Sequence, residues 1–325
     1  MEKESYIRTA EEVYRQAAEQ PDASLCCAGS RTNNLPGLKI PVCMSEMNYG
    51  CGTTVHMQDL SPDSTILYVG VGGGMEALEF AYFTRKPGGV IAVDSVQEMI
   101  DTAKRNFQTA EQENDWFRSD FVDLRRGDAL KLPLEDESVE LASQNCLFNI
   151  FKPADLGIAL SEFHRVLKPG GAICLTDPVS PVSIPDHLKN DERLRACCLS
   201  GAISLEEYLK KLVDTGFGTI EIRSRKPYRV LDARRYDIPD SIMLESVEMV
   251  AYKTAVPDDG PCVFTGCAVF YLGEQDCFDD GKGHILMRDV PLAVCDKTAQ
   301  ALKALNRDDL VITGSTYHYA GGGCC

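Results

Sequence analysis

The sequence predicts an α/β chain: a doubly wound parallel sheet followed by a second, smaller α+β domain. Three observations carry that reading. Short apolar runs alternate with helical segments between residues 65 and 215, the mark of βαβ units and a parallel sheet. The first of these runs passes through Gly70-Val71-Gly72-Gly73-Gly74 directly into a helical segment. After Pro227 the periodicity weakens and strand-like runs become short. The 325 residues leave room for about two domains, at roughly 150 residues each.

In order along the chain, residues 4–19 place Ile7, Ala10, Val13, Tyr14 and Ala17 at helical spacing. A loop-like, cysteine-containing stretch runs from Pro21 to about Pro62. A strand at 65–69 and a helix at 75–85 flank the glycine run. A strand at 89–93 follows, then a helix at 96–109 with Met99, Ile100, Ala103 and Phe107 on one face. Residues 139–146 are a strand, and 156–167 a helix stopped by Lys168-Pro169-Gly170-Gly171. Residues 172–176 are the next strand, and 205–215 a helix ending before Gly216. Crossovers between parallel strands should be right-handed. Beyond Pro227, strands are expected at 263–272 and 285–287 and a helix at 296–305. The expected domains are therefore 1–60 (N-terminal helix and cysteine-containing segment), 61–226 (the doubly wound domain) and 227–325 (the smaller domain).

Composition excludes several classes. No apolar run approaches the ~18 residues of a membrane helix, so no span is expected. The start, Met1-Glu2-Lys3-Glu4-Ser5, has the features of neither a signal nor a transit peptide, and a cytoplasmic location is expected. With 33 basic against 49 acidic side chains the net charge is −16, which repels phosphate backbones and anionic lipid. The expected partner is a neutral or cationic small molecule, with neither nucleic acid nor membrane. Fourteen cysteines are too sparse for a disulfide scaffold, so reduced thiols are expected. No Cys-x-x-Cys occurs, which removes the zinc-ribbon spacings. Instead there are three adjacent pairs: Cys26-Cys27, Cys197-Cys198 and Cys324-Cys325. Cys43, Cys174, Cys262, Cys267 and Cys277 read as small buried hydrophobes. Trp116 and the five histidines, His164 included, read as structural.

The glycine run lets the backbone turn sharply and approach a ligand, with helix N–H donors behind it. The dinucleotide fingerprint would need glycine at its sixth position, where Met75 stands. The spacing Gly70, Gly72, Gly74 instead resembles that of class I S-adenosylmethionine (SAM) methyltransferases. Asp94 ends the second strand, 24 residues beyond Gly70, where an acid can accept from both hydroxyls of a ribose. Gly127-Asp128-Ala129, the Leu132–Glu140 segment and Arg165-Val166-Leu167-Lys168-Pro169-Gly170-Gly171 resemble later motifs of that family, in the right order. Tyr68 departs from it, since many members carry an acid there. The resemblance implies a Rossmann-like SAM domain with Tyr49, Gly70, Gly72, Gly74, Asp94, Ser95, Asp128, Ala129 and Asn145 at the cofactor.

The acceptor must come from other residues. Cys146 follows the fourth strand, Cys198 lies beyond the fifth, and Cys51 precedes the glycine loop. All three could converge above the sheet. Tyr49-Gly50-Cys51-Gly52, Asn145-Cys146 and Cys198-Leu199-Ser200-Gly201-Ala202 resemble the arsenite SAM methyltransferases. Cys26-Cys27 resembles that family's N-terminal pair, and Val311-Ile312-Thr313-Gly314 with His318-Tyr319 resembles its ending. The stretch from Met47 to Val55 and the terminal Gly-Gly-Gly-Cys-Cys look most like the branch tied to arsenosugar biosynthesis. The resemblance implies methylation of arsenite and methylarsenite held by Cys51, Cys146 and Cys198, with Cys26 and Cys27 as further arsenic-binding candidates. It also implies a thiol reductant, glutathione or the thioredoxin system. Chemistry agrees: trivalent arsenic is soft, and soft thiolates are its natural ligands. Its lone pair can attack the sulfonium methyl without a general base. Cys51, on the segment before the sheet, is expected to be the most easily opened of the three. Two other readings stay open: a SAM methyltransferase of another small acceptor, and a non-catalytic thiol-rich protein for soft metals. The tail does not fit a C-a-a-X lipidation signal, because Gly322 stands where the cysteine should be.

Overall fold

The computed structural model describes residues 4–25 and 34–319, so Cys26, Cys27, Cys324 and Cys325 lie outside the described residues. Helix α1 (Ser5–Glu19) buries Tyr6, Ala10, Val13 and Ala17, close to the expected face. The loop-like stretch contains one short turn of helix, α2 (Val42–Ser45). Then come β1 (Ile66–Val69), α3 (Met75–Thr84), β2 (Val90–Asp94), α4 (Gln97–Glu113), β3 (Val122–Arg126) and β4 (Val139–Asn145). They are followed by α5 (Pro153–Val166), β5 (Leu167–Val179), α6 (Asp186–Lys189), α7 (Glu192–Ala196) and α8 (Leu205–Thr215). Strand β1 is buried at every position, as a strand covered by helices on both faces must be.

Next come β6 (Thr219–Leu231), α9 (Ala233–Tyr236), β7 (Ile242–Tyr252) and β8 (Cys262–Phe264). The eight strands form one sheet in the order β3-β2-β1-β4-β5-β7-β6-β8. Strands β1 to β5 are parallel to their neighbours, and β7 lies antiparallel between β5 and β6. The order reverses between β1 and β4, where an open α/β sheet leaves a crevice at its carboxyl edge. One core under the sheet is built on Phe148, Phe163, Tyr208 and Phe217. The other packs Leu78, Phe80, Phe107 and Phe117 against the opposite face.

Two expectations differ from the outcome. The boundary at 226/227 falls inside β6, and the strands on both sides of it complete the large sheet. The expected strand at 263–272 is two strands, broken at Gly266, whose φ of 84° a side chain would strain. Before the break, β8 pairs with β6. After it, β9 (Cys267–Tyr271) becomes the centre of a separate three-stranded sheet. Its partners are β12 (Leu292–Val294) and β13 (Leu310–Ile312). A hairpin of β10 (Cys277–Asp279) and β11 (Ile285–Met287) and the helix α10 (Asp296–Ala304) accompany it. The single turn at Gly266 is where the chain leaves the large sheet.

Candidate active site

The crevice at the reversal point holds a cavity open to solvent at its mouth, with about 1080 Å³ of empty space when that mouth is included. Gly70 and Gly72 have φ of 85° and 51°, and both line it, so glycine there sets the left-handed turn that brings backbone to the cavity wall. Gly73, which the motif did not single out, also lines it; a Cβ there would stand 2.7 Å from Cβ of Met47. Gly74 does not line the cavity. Its Cβ would meet the Phe107 ring at 2.8 Å, so its smallness serves the packing of α4 against the loop.

Asp94, at the end of β2, accepts the Val96 N–H at 3.0 Å and is faced by the N–H groups of Val71, Gly72 and Ser95. Burial nevertheless pushes its carboxyl up to about 6. Asp128 and Ala129 lie after β3, with the Asp128 carboxylate accepting the Leu130 N–H at 2.9 Å. Tyr49, Ser95 and Asn145 line the same cavity, and Val96, Met99, Leu147 and Ile150 form its apolar wall. Helix α1 adds Ile7, Ala10 and Tyr14, a contribution no motif announced. A buried acid also reaches the cavity wall from another element. Glu76, in the first turn of α3, lines the cavity and accepts from Thr54 N–H at 2.9 Å and Thr54 Oγ1 at 3.1 Å. Tyr68 and Asn145 also hydrogen-bond to it, while burial raises its carboxyl. Glu76 sits in a run that otherwise reads as a fully buried helix, and nothing in its spacing marks it.

The three cysteines meet beside this cavity. Cys51, Cys146 and Cys198 are 3%, 7% and 1% exposed and share one apolar cluster with Met47, Val96, Met99 and Ile150. Cys146 is also part of the cavity wall. Its φ is 65° and that of Cys198 is 59°, a left-handed conformation that costs a side-chain-bearing residue about 1–3 kcal/mol. The surroundings hold both in place. The Cys146 N–H donates to the Thr176 carbonyl at 2.7 Å. The Cys198 thiol donates to the Cys146 carbonyl at 2.5 Å. Three residues on, Gly201 lies so close to the Asn149 carbonyl that a Cβ would stand 1.8 Å from its oxygen.

Cys51 is held in a different way from the loose segment the sequence predicts. Its N–H donates to Asn145 Oδ1 at 2.9 Å, its carbonyl accepts from Ser246 Oγ at 2.7 Å, and its sulfur lies 3.5 Å from Thr176 Oγ1. Around it, β4, β7 and α3 each present a polar side chain to the segment's backbone, and β5 presents Thr176 to the Cys51 thiol. The three share a cluster but are not assembled as a ligand set: among the described residues, no three of His, Cys, Asp or Glu are grouped to hold a metal ion. Behind them Asp177 is fully buried, accepting from Tyr208 OH at 2.7 Å and Gln144 Nε2 at 2.5 Å, with its carboxyl pushed up to about 7 by burial.

Of the remaining cysteines, Cys197 packs against the same cluster and the others lie apart from it. Cys197 is half-buried, its thiol pushed up to about 11 mainly by burial. Cys174 is fully buried, Cys262 and Cys267 are buried, and Cys43 and Cys277 half-buried. His164 packs edge-on to Phe217, and Trp116 donates to the Gly37 carbonyl at 3.2 Å. No helix among the described residues is long and apolar enough to cross a membrane.

Comparison with known proteins matches residues 67–175 to a methyltransferase domain family. An arsenite methyltransferase of Halobacterium salinarum is 30% identical over 178 residues, 55% of this chain and 43% of that protein. The match thus spans less than half of that relative's length. An arsenite methyltransferase of Aquipseudomonas alcaligenes is 26% identical over 297 residues, covering 86% of this chain and 82% of that one. Among solved structures, an arsenic(III) S-adenosylmethionine methyltransferase from Chlamydomonas reinhardtii aligns over 86% of this chain and 95% of its own, with TM-score 0.60 and 22% identity, which supports the fold. A glycine-lined cavity at the sheet's reversal point and the matched domain together say that the chain has the class I methyltransferase fold and takes SAM as methyl donor, and the curated relatives it resembles here are arsenite methyltransferases.

Proposed function

We propose that this protein transfers the methyl group of SAM to trivalent arsenic, accepting arsenite and then methylarsenite. The observation that carries the reading is the pair of cysteines in left-handed backbone at the donor cavity, Cys146 in its wall and Cys198 bonded to the Cys146 carbonyl. Strain of this kind persists where it serves a function. The cavity fits the donor by its chemistry. Asp94 can take the ribose hydroxyls, Asp128 and Ala129 the adenine, and Glu76 with Tyr68 the methionyl ammonium. Bound there, SAM supplies an electrophilic methyl on a cationic sulfur.

The chain's own residues do the rest. Cys146, Cys198 and Cys51 exchange their thiol protons against arsenic hydroxyls, each releasing water, so no general base is required at the acceptor. Trigonal thiolate ligation leaves the arsenic lone pair free, and the rigid backbone of Cys146 keeps it facing the donor. Positioning of two reactants in this way contributes several kcal/mol to the barrier reduction. Since the thiols are not grouped around an arsenic atom in advance, their side chains must turn when it arrives. Cys198 then gives up its bond to the Cys146 carbonyl. Transfer of the methyl releases S-adenosylhomocysteine and leaves arsenic pentavalent. Two thiols must then return two electrons, closing to a disulfide, before trivalent methylarsenite can serve as the next acceptor. The expected thiol reductant reopens that disulfide.

The test is incubation of the full chain with arsenite, SAM and a reduced thiol, with methylated arsenicals separated and counted. Methylarsenicals should accumulate over many turnovers with the reductant and fall to little turnover without it. SAM binding with no arsenical product would overturn the reading and favour a different small acceptor.

A further inference from the structure

Asn145 was expected at the cofactor, and it does line the cavity, yet its amide is occupied elsewhere. Its Oδ1 accepts the Cys51 N–H at 2.9 Å and its Nδ2 donates to the Gly52 carbonyl at 3.0 Å. The amide also donates to Glu76. Both N–H groups and the oxygen of one carboxamide are thereby engaged within the protein. A flat group that both accepts from and donates to consecutive backbone units does the work of a paired strand, at the last residue of β4 and one beyond the end of its pairing with β1.

The flanking residues are shaped around this clamp. A Cβ on Gly50 would lie 2.3 Å from the Asn145 amide carbon, and one on Gly52 would lie 2.6 Å from Glu248 Oε1. Cys51 thus stands between two glycines that make room for the amide and for its neighbours. Asn145 also directly precedes Cys146, so one residue joins the two thiols, and through Glu76 it touches the donor side as well.

We infer that Asn145 is a positioning residue that sets Cys51 against Cys146 and so decides whether a three-thiol ligand set can close on arsenite. The inference rests on the proposed arsenic chemistry, and it deepens it: arsenite can take three thiolates, whereas methylarsenite can take only two. Loss of the clamp should therefore separate the two substrates.

At saturating SAM, Asn145→Ala should lose about 30-fold in kcat/KM on arsenite, as two buried hydrogen bonds would; its SAM affinity is measured separately, because the amide also bonds Glu76. Methylarsenite methylation should change by less than about threefold in the same variant, because methylarsenite takes only two thiolates. The Cys51 thiol, followed by alkylation and mass spectrometry without arsenic, should react at least about tenfold faster once its segment can open.

An Asn145→Ala enzyme as active on arsenite as wild type, or a loss confined to SAM affinity, would overturn the assignment. Failure of the wild type to methylate arsenite would refute the proposed function instead. The alkylation rate would still decide the clamp, and an unchanged rate in Asn145→Ala would refute it.

Discussion

The two halves of the cleft are built by different means. The donor half is made of strand ends and the turns that directly follow them: Gly70–Gly73 after β1, Asp94 after β2, Asp128 after β3. Each group is placed by a few neighbouring residues. The acceptor half draws Cys51, Cys146 and Cys198 from three segments far apart in the chain, and each is fixed by residues of yet other elements. A local turn survives many changes elsewhere, whereas an assembled site depends on every strut. The donor half is therefore the generic part of this molecule and the acceptor half its specific part.

The largest expected effects test that division. Cys146→Ser and Cys198→Ser should each lower methylation of both arsenite and methylarsenite by more than about 100-fold, the cost of misplacing a reactant. SAM affinity should stay unchanged in both variants. Cys51→Ser should lose arsenite methylation to a similar extent and keep that of methylarsenite, which needs only two thiols. The check is to assay each variant with each arsenical separately. Normal arsenite methylation by Cys51→Ser would show that the third ligand lies elsewhere, and loss of SAM affinity in any of the three would dissolve the distinction between the halves.

A smaller effect is expected in the donor half. Asp94→Ala should weaken SAM by roughly 1–3 kcal/mol in calorimetry, the cost of leaving ribose hydroxyls unpaired. The same carboxyl gives a pH signature. Held up to about 6 by burial, it is ionised at pH 7.5, where it accepts from both hydroxyls, and protonated at pH 5. Wild-type SAM affinity should fall by about tenfold between those pH values, and Asp94→Asn should flatten the change. A pH-independent wild-type affinity would remove Asp94 from the donor site.

The smallest effect concerns the support behind the cysteines. The Asp177 carboxyl is pushed up to about 7 in the folded chain, above its value in the unfolded one. Its contribution to stability is then complete below the ordinary carboxylate range and is lost as pH rises through 7. Wild-type Tm should fall by about 2–4 °C between pH 6 and 8 from this group, and Asp177→Asn should reduce the slope. An identical slope in that variant would mean that Asp177 is ionised throughout.

How much of this was legible in the sequence differs by residue. Gly70, Gly72 and Asp94 could be read because a left-handed turn and a strand-end acid are local demands on the chain. Gly74 belonged to the same motif, yet its neighbour is the Phe107 ring on α4, a contact that spacing cannot express. Glu76 was missed because an acid in an apolar helix carries no sign of the hydroxyl and amide groups that will face it. Helix α1 could be drawn as amphipathic, but its place over the cavity depends on contacts with α7 and α4. The boundary at 226/227 was misplaced because β6 and β7 are antiparallel strands at the margin of the sheet. Glu221, Arg223, Arg225, Lys226 and Arg229 in β6, and Glu245 and Glu248 in β7, break the continuous apolar pattern of the buried strands.

The sequence by itself determined the alternation of strands and helices, the glycine turn, and the residue types that suit a cationic donor and a soft acceptor. Those follow from backbone conformation and side-chain chemistry, which each residue carries with it. Only the tertiary structure decided that Cys51 is clamped rather than loose. It also decided that Cys146 and Cys198 stand in left-handed backbone and that Glu76 brings a buried acid to the cavity wall. Burial is the physical reason. A group removed from water must find its partners among whatever the fold brings near it, and that neighbourhood is written in no single segment of the chain.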